Sequence, residues 1–87
     1  MKINYEMIKR EIVGETYLVP VGKAAHDYNG LFALSEVAGF IWDILPQCAD
    51  EKEIISAVLE EYEVDEKTAE NDVKEFISKL REMGIIS

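Results

Sequence analysis

One cysteine and one histidine in 87 residues leave little from which to build a metal centre or a disulfide framework. Cys48 has no second cysteine to pair with, and His26 has no histidine or cysteine at ligand spacing. His26 reads as a polar loop residue and Cys48 as a small, partly buried one. A nucleophilic Cys48 would need a base close by in space, and no partner for it is evident. The glycines at 14, 22 and 30 form neither G-x-G-x-x-G nor G-x-x-x-x-G-K, so no phosphate loop is present. The acidic run Glu60-Glu61-Tyr62-Glu63 with Asp65-Glu66 lacks EF-hand spacing; it reads as a solvated helix end followed by the cap of the next helix. No apolar run approaches the roughly 20 residues that span a bilayer. The opening M-K-I-N-Y-E-M-I-K lacks the apolar core of a signal peptide. From these absences the expectation is a cytoplasmic chain with no catalytic residue, no cofactor, no metal site and no membrane partner.

Cations are scarce in one half only. Residues 1–34 carry four Lys/Arg and four Asp/Glu; residues 35–87 carry five and fourteen, which accounts for the whole net charge of -9. Nucleic-acid affinity comes largely from neutralising phosphates with Lys and Arg, so the acidic half argues against DNA or RNA. The length fits one domain, residues 1–87, with one modest core.

What is present orders itself as strands, then helices. Met7–Val13 reads as a first strand, with Ile8 and Ile12 on one face and Lys9 and Glu11 on the other, Arg10 breaking the alternation. Gly14-Glu15 reads as a tight hairpin turn, and Thr16–Val21 as a second strand rich in β-branched and aromatic residues. Pro20 cannot donate to a ladder and must meet an edge or a bulge. Gly22–Gly30, with Asp27 and Asn29 near its end, reads as a loop. Leu31–Leu34 is a short third strand. Ser35 caps a helix over Glu36–Leu45 that buries Val37, Phe40, Ile41, Ile44 and Leu45 and stops at Pro46. Trp42 lies one residue beyond that face and reads as core or core-edge packing rather than a ligand platform. Asp50 caps a helix over Glu51–Tyr62, with Glu53 completing a capping box. Asp65 caps the last helix, Glu66–Met83, whose apolar stripe is Ala69, Val73, Phe76, Ile77, Leu80 and Met83. Gly84 ends it. The fold class is α+β: a three-stranded antiparallel sheet within residues 7–34 and three helices within 36–83.

The last helix carries the more specific polar pattern. Lys67, Lys74 and Arg81 recur every seven residues, drifting only about 20° per step. Lys74 and Arg81 border the apolar stripe beside Val73 and Ile77; Lys79 borders its other side. They read either as snorkelling cations that cover the core or as the basic rim of a trough suited to an apolar peptide carrying carboxylates. Three function classes compete: a peptide-binding module, a winged-helix DNA-binding regulator and a small enzyme. The last helix has five acids against four cations, unlike a DNA-reading helix. No nucleophile–base or metal-ligand relation supports an enzyme.

Three blocks in order extend over nearly the whole chain: Y-E-M-I-K-R-E-I-V-G-E-T-Y-L-V-P-V, then G-x-x-x-L-[NS]-x-x-x-x-x-I-W matched by Gly30, Leu34, Ser35, Ile41 and Trp42, then E-E-Y-E-V-D-E-K-T-A-E-N-D-V-K-E-F-I-S-K-L-R-E-M-G-I-I. Together they resemble the PqqD-like family. The resemblance implies a fold similar to a winged helix-turn-helix and a role as a RiPP recognition element. Such an element is a non-catalytic peptide chaperone that holds the leader of a ribosomally made precursor for a modifying enzyme, often a radical SAM protein. It leaves open whether pyrroloquinoline quinone is the pathway product. It places the leader as an added strand on the third strand, here Leu31, Phe32, Ala33 and Leu34, in a groove walled by the last helix at Val73, Lys74, Ile77 and Arg81. Independently of the resemblance, a short strand ending a meander is an open edge, where β-augmentation occurs. The same edge admits an edge-paired or strand-swapped dimer beside the monomer.

Overall fold

The computed structural model describes residues 1–28 and 30–87; Asn29, in the connection before the third strand, lies outside the described residues. The elements are β1 (Met7–Ile12), β2 (Glu15–Pro20), α1 (Lys23–Asp27), β3 (Phe32–Leu34), α2 (Glu36–Ile44), a 3₁₀ turn (Leu45–Gln47), α3 (Glu51–Glu61) and α4 (Glu66–Glu82). The sheet is antiparallel in the order β1-β2-β3, leaving β1 and β3 as its edges. This is the three-stranded α+β arrangement expected, with one addition: α1 occupies part of the stretch read as loop.

The hairpin differs from expectation by one residue. Ile12 pairs with Glu15, so Val13 and Gly14 form the turn. Both have positive φ, 49° and 77°, the signature of a type I′ turn, whose twist matches the flanking strands. Glycine suits this conformation; valine, β-branched and 97% exposed, does not.

The sheet turns one face to the helices. Met7, Leu18 and Pro20 are buried on that face, with Phe32 and Leu34 half-buried beside them. The alternation in β1 holds, yet its Lys9 side faces inward and its isoleucines face outward. Lys9 reaches across to an ion pair with Asp43 of α2, its stem lying near Gly39. Ile8 and Ile12 stay exposed on the open face of the sheet.

The helices begin where their caps predict. Ser35 Oγ accepts from the Ala38 N–H at 3.1 Å, Asp50 Oδ1 from Glu53 at 3.0 Å, and Asp65 Oδ1 from Thr68 at 2.7 Å. The bonds from Thr68 hold the Asp65 carboxyl below its usual value. Glu53 returns its bond to the Ala49 N–H at 2.8 Å, one residue before the cap. The chain passes from α2 into the 3₁₀ turn, which accommodates Pro46 in its first residues. At the other end, Gly84 has φ 77° and completes a Schellman motif: Ile85 N–H bonds the Leu80 carbonyl at 2.9 Å and Gly84 N–H the Arg81 carbonyl at 3.0 Å. Ile85 and Ile86 are buried, and Ile86 pairs with Ile3, so the two ends of the chain are tied together.

The core between sheet and helices is built on Leu18, Ile41, Leu45, Ile54, Val58, Val73, Ile77 and Ile85, with Trp42 at its margin. Cys48 is buried and unpaired. Burial pushes its thiol pKa up and the nearby Glu53 carboxylate adds to the rise, opposite to what a reactive thiolate requires. Val37, Phe40 and Ile44 are only half-buried. No helix among the described residues is long and apolar enough to cross a membrane.

The turn supplies a direct test. Val13→Asn replaces a β-branched residue at positive φ with one that tolerates it, and is expected to stabilise the domain by about 0.5–1 kcal/mol. In urea unfolding this is a higher midpoint at an unchanged slope.

Candidate functional site

Backbone parity decides which strand edge can accept another chain. In an antiparallel ladder, alternate residues send both N–H and C=O to opposite sides. Val21 N–H bonds the Glu6 carbonyl at 3.2 Å, and Ile12 and Glu15 close the two-residue hairpin. The odd-numbered residues of β2 therefore bond to β1, and Thr16 and Leu18 bond to β3. Pro20, opposite Met7, occupies a position where β1 asks for no N–H. Thr16 pairs with Leu34 and Leu18 with Phe32, so Phe32 and Leu34 are committed inward. Ala33 is left with its N–H and C=O directed to the free edge.

The two edges are not equivalent. β1 carries the charged run Lys9-Arg10-Glu11, the kind of edge that discourages further pairing. β3 carries Phe-Ala-Leu, preceded by the exposed Leu31.

β3 packs on α2 but stands away from α4, and a groove of about 660 Å³ lies between them. Leu18, Ile41, Leu80 and Ile85 are the buried members of its lining and form its floor. Leu31, Phe32, Ala33, Leu34 and Ser35 make one side; Val37 and Ala38 of α2 close it nearby. The opposite wall is the flank of α4 bearing Asp72, Glu75, Phe76, Lys79 and Met83. Tyr28 braces one end. Its ring meets Phe32 edge-on at 6.0 Å and Tyr5 at 5.2 Å, and its hydroxyl donates to the Met83 carbonyl. Desolvation raises the Tyr28 pKa, with Tyr5 and Asp27 adding to it, so the hydroxyl keeps its proton and remains a donor.

Leu31 to Leu34, the segment expected to receive a peptide, line the groove. The four helix positions do not. Val73 and Ile77 have no exposed surface and belong to the core. Lys74 and Arg81 are exposed but absent from the lining; at 3.6 residues per turn they lie about half a turn around α4 from Asp72 and Met83. The physical reason is that the centre of the apolar stripe, Ala69, Val73, Ile77 and Leu80, is consumed by the core. Of that row only Leu80 reaches the groove, at its floor, and the wall is the shoulder through Phe76 and Met83. The basic rim is therefore replaced by a wall with two acids and one lysine. Phe76, Met83 and Lys79 were visible as stripe and border residues; the roles of Asp72, Glu75 and Tyr28 had no local signal.

His26 is exposed on α1. Among the described residues, no three His, Cys, Asp or Glu side chains gather in a way that could hold a metal ion.

The family described as Coenzyme PQQ synthesis protein D (PqqD) matches residues 15–86. Among solved structures, that of TbiB1 in complex with the TbiA(beta) leader peptide superposes with a TM-score of 0.70 at 28% identity, covering 100% of this chain and 95% of that one. No curated protein matches at a significant level.

Parity predicts an exchange pattern in the free domain. The Phe32 and Leu34 amides, bonded to β2, are expected to exchange slowly with solvent deuterium, and the Ala33 amide between them fast. Fast exchange at Leu34 with protection at Ala33 would reverse the register argument.

Proposed function

The chain belongs to the PqqD family, and from that premise we propose that it is a RiPP recognition element that binds the leader segment of a ribosomally made precursor peptide. The leader adds as a strand beside β3, and its side chains enter the groove between β3 and α4. The observation that carries this reading is the unpaired backbone of Ala33 on an uncharged edge, opening onto an apolar groove. β-augmentation uses this combination: main-chain bonds supply part of the affinity, and pockets under alternate residues supply selectivity. That TbiB1 is seen with a leader peptide supports the same use of the fold.

The domain's role is binding, and the chemistry belongs to a partner enzyme, for which a radical SAM protein is the leading candidate. Among the described residues the groove offers no nucleophile–base pair: its polar side chains are Ser35, committed to the α2 cap, and the charged residues of α4. A winged-helix DNA-binding role is disfavoured by the net charge of -9, which repels a phosphate backbone.

The test requires the cognate leader, to be sought as a short precursor encoded near the gene for this chain. Ala33→Pro removes an N–H that the sheet does not use, so the fold is expected to survive while leader affinity falls. Phe32→Pro removes a bond to β2 and is expected to unfold the edge of the sheet. Phe76→Ala is expected to cost about 1–3 kcal/mol of leader binding by titration calorimetry. Lys74→Glu and Arg81→Glu are expected to leave it within about 0.5 kcal/mol, as exposed charges away from a contact do. A leader unaffected by Ala33→Pro and Phe76→Ala yet weakened by the charge reversals would relocate the site to the far side of α4.

A further inference from the structure

The charges of the groove all lie on one wall. Among the described residues, those of its lining that carry charge are Asp72, Glu75 and Lys79, each on α4. Across from them Val37 and Ala38 are apolar, and the α2 N-terminus already has the Ser35 hydroxyl as its cap and Glu36 in its first turn. Lys79 Nζ stands 3.6 Å from Glu75 Oε1, one turn apart on the helix, so these two offset each other. Asp72 has no cation within ion-pair distance among the described residues. Lys74 and Arg81 occupy the far side of α4 and cannot fold over the groove without crossing the helix. An apolar trough with one uncompensated carboxylate on its rim remains, in a chain that is itself strongly acidic.

Given the leader-binding reading above, on which this rests, we propose that the groove selects leaders that set a lysine or arginine beside their apolar anchor, and that Asp72 is the residue that reads it. Apolar side chains fill the space under Phe32, Leu34 and Phe76. The neighbouring cation then meets Asp72 at the rim, where arginine can engage the carboxylate with two parallel bonds and lysine with one. An acidic residue at the same position would meet like charge from Asp72 and from the chain as a whole. Because Asp72 is exposed, its contribution is to selectivity and association rate, and it weakens with salt.

The experiment selects a displayed random peptide library against the wild-type chain, Asp72→Asn and Asp72→Lys. Wild-type selection is expected to enrich peptides with Lys or Arg next to an apolar residue. Asp72→Asn should lose that enrichment, and Asp72→Lys should replace it with Asp or Glu. Exchanging the cation of a selected peptide for Glu should weaken wild-type binding by about threefold to tenfold at low salt, with the gap closing at high salt. The Ala33 amide is followed by hydrogen exchange with each selected peptide. Peptides that protect Ala33 but show no cation, or the same cation with all three variants, overturn the charge inference and leave leader binding at β3 standing. If no selected peptide protects Ala33, the β3 site fails and this inference with it.

Discussion

The two-residue turn at Val13-Gly14 is the constraint from which the rest of the site follows. By fixing Ile12 opposite Glu15, it assigns the odd residues of β2 to β1 and the even ones to β3. That assignment makes Pro20 tolerable, because no β1 carbonyl waits for its missing N–H. It also commits Phe32 and Leu34 inward and leaves Ala33 outward. A slip of one residue would exchange these roles and turn Phe32 and Leu34 away from the groove, since side-chain direction and hydrogen-bond direction alternate together. The turn holds this register although one of its two residues is a valine at φ 49°. Away from the turn, the Lys9–Asp43 pair ties β1 to α2 and Met7 packs into the core.

The groove itself is a consequence of how α4 is used up. A helix of 17 residues with a broad apolar stripe can serve two neighbours only if the stripe is divided. Its centre packs into the core with α2 and α3, and its end is held by the Schellman motif and by Tyr28 bonded to Met83. The remaining shoulder faces β3 across a gap that no side chain of the described residues fills. Packed interiors seldom keep open apolar space of this size, so a gap beside an unsatisfied strand edge is a place where a peptide gains both hydrogen bonds and burial.

Much of this was legible in the sequence where the determining chemistry is local. Ser35, Asp50 and Asp65 announce helix starts because an N-cap needs only its own side chain and the next three residues. Gly84 announces an ending for the same reason. The hairpin turn was displaced by one because Gly14-Glu15 is ordinary turn chemistry and a valine at positive φ is not. α1 was missed because a five-residue helix has no periodicity to detect; the burial of Ala24 is tertiary. At the site, β3 could be read from its place in the meander. The helix wall could not, because periodicity reports how wide an apolar stripe is and not which flank meets which neighbour. Hence periodicity alone does not show that Val73 and Ile77 stay inside the core, or that the groove wall carries Asp72 and Glu75 with Lys79.

A strand of three residues also limits what main-chain pairing can contribute. Ala33 offers one donor and one acceptor, and each net hydrogen bond is worth about 0.5–1.5 kcal/mol. Micromolar affinity requires about 8 kcal/mol beyond the cost of association. The larger part must come from side chains, each worth about 1.5–3 kcal/mol when fully buried. The division of labour follows from these magnitudes. If the leader adds at β3 as proposed, that edge sets its direction and register whatever its sequence. In the proposed mode, the floor at Leu18, Ile41 and Leu80, with Phe76 above it, would supply most of the affinity. The residues exposed on the α4 shoulder are then left to choose between peptides that satisfy both. A domain arranged this way can keep its fold and its mode of binding while changing its partner through a few rim positions, because none of Asp72, Glu75 and Lys79 takes part in the core.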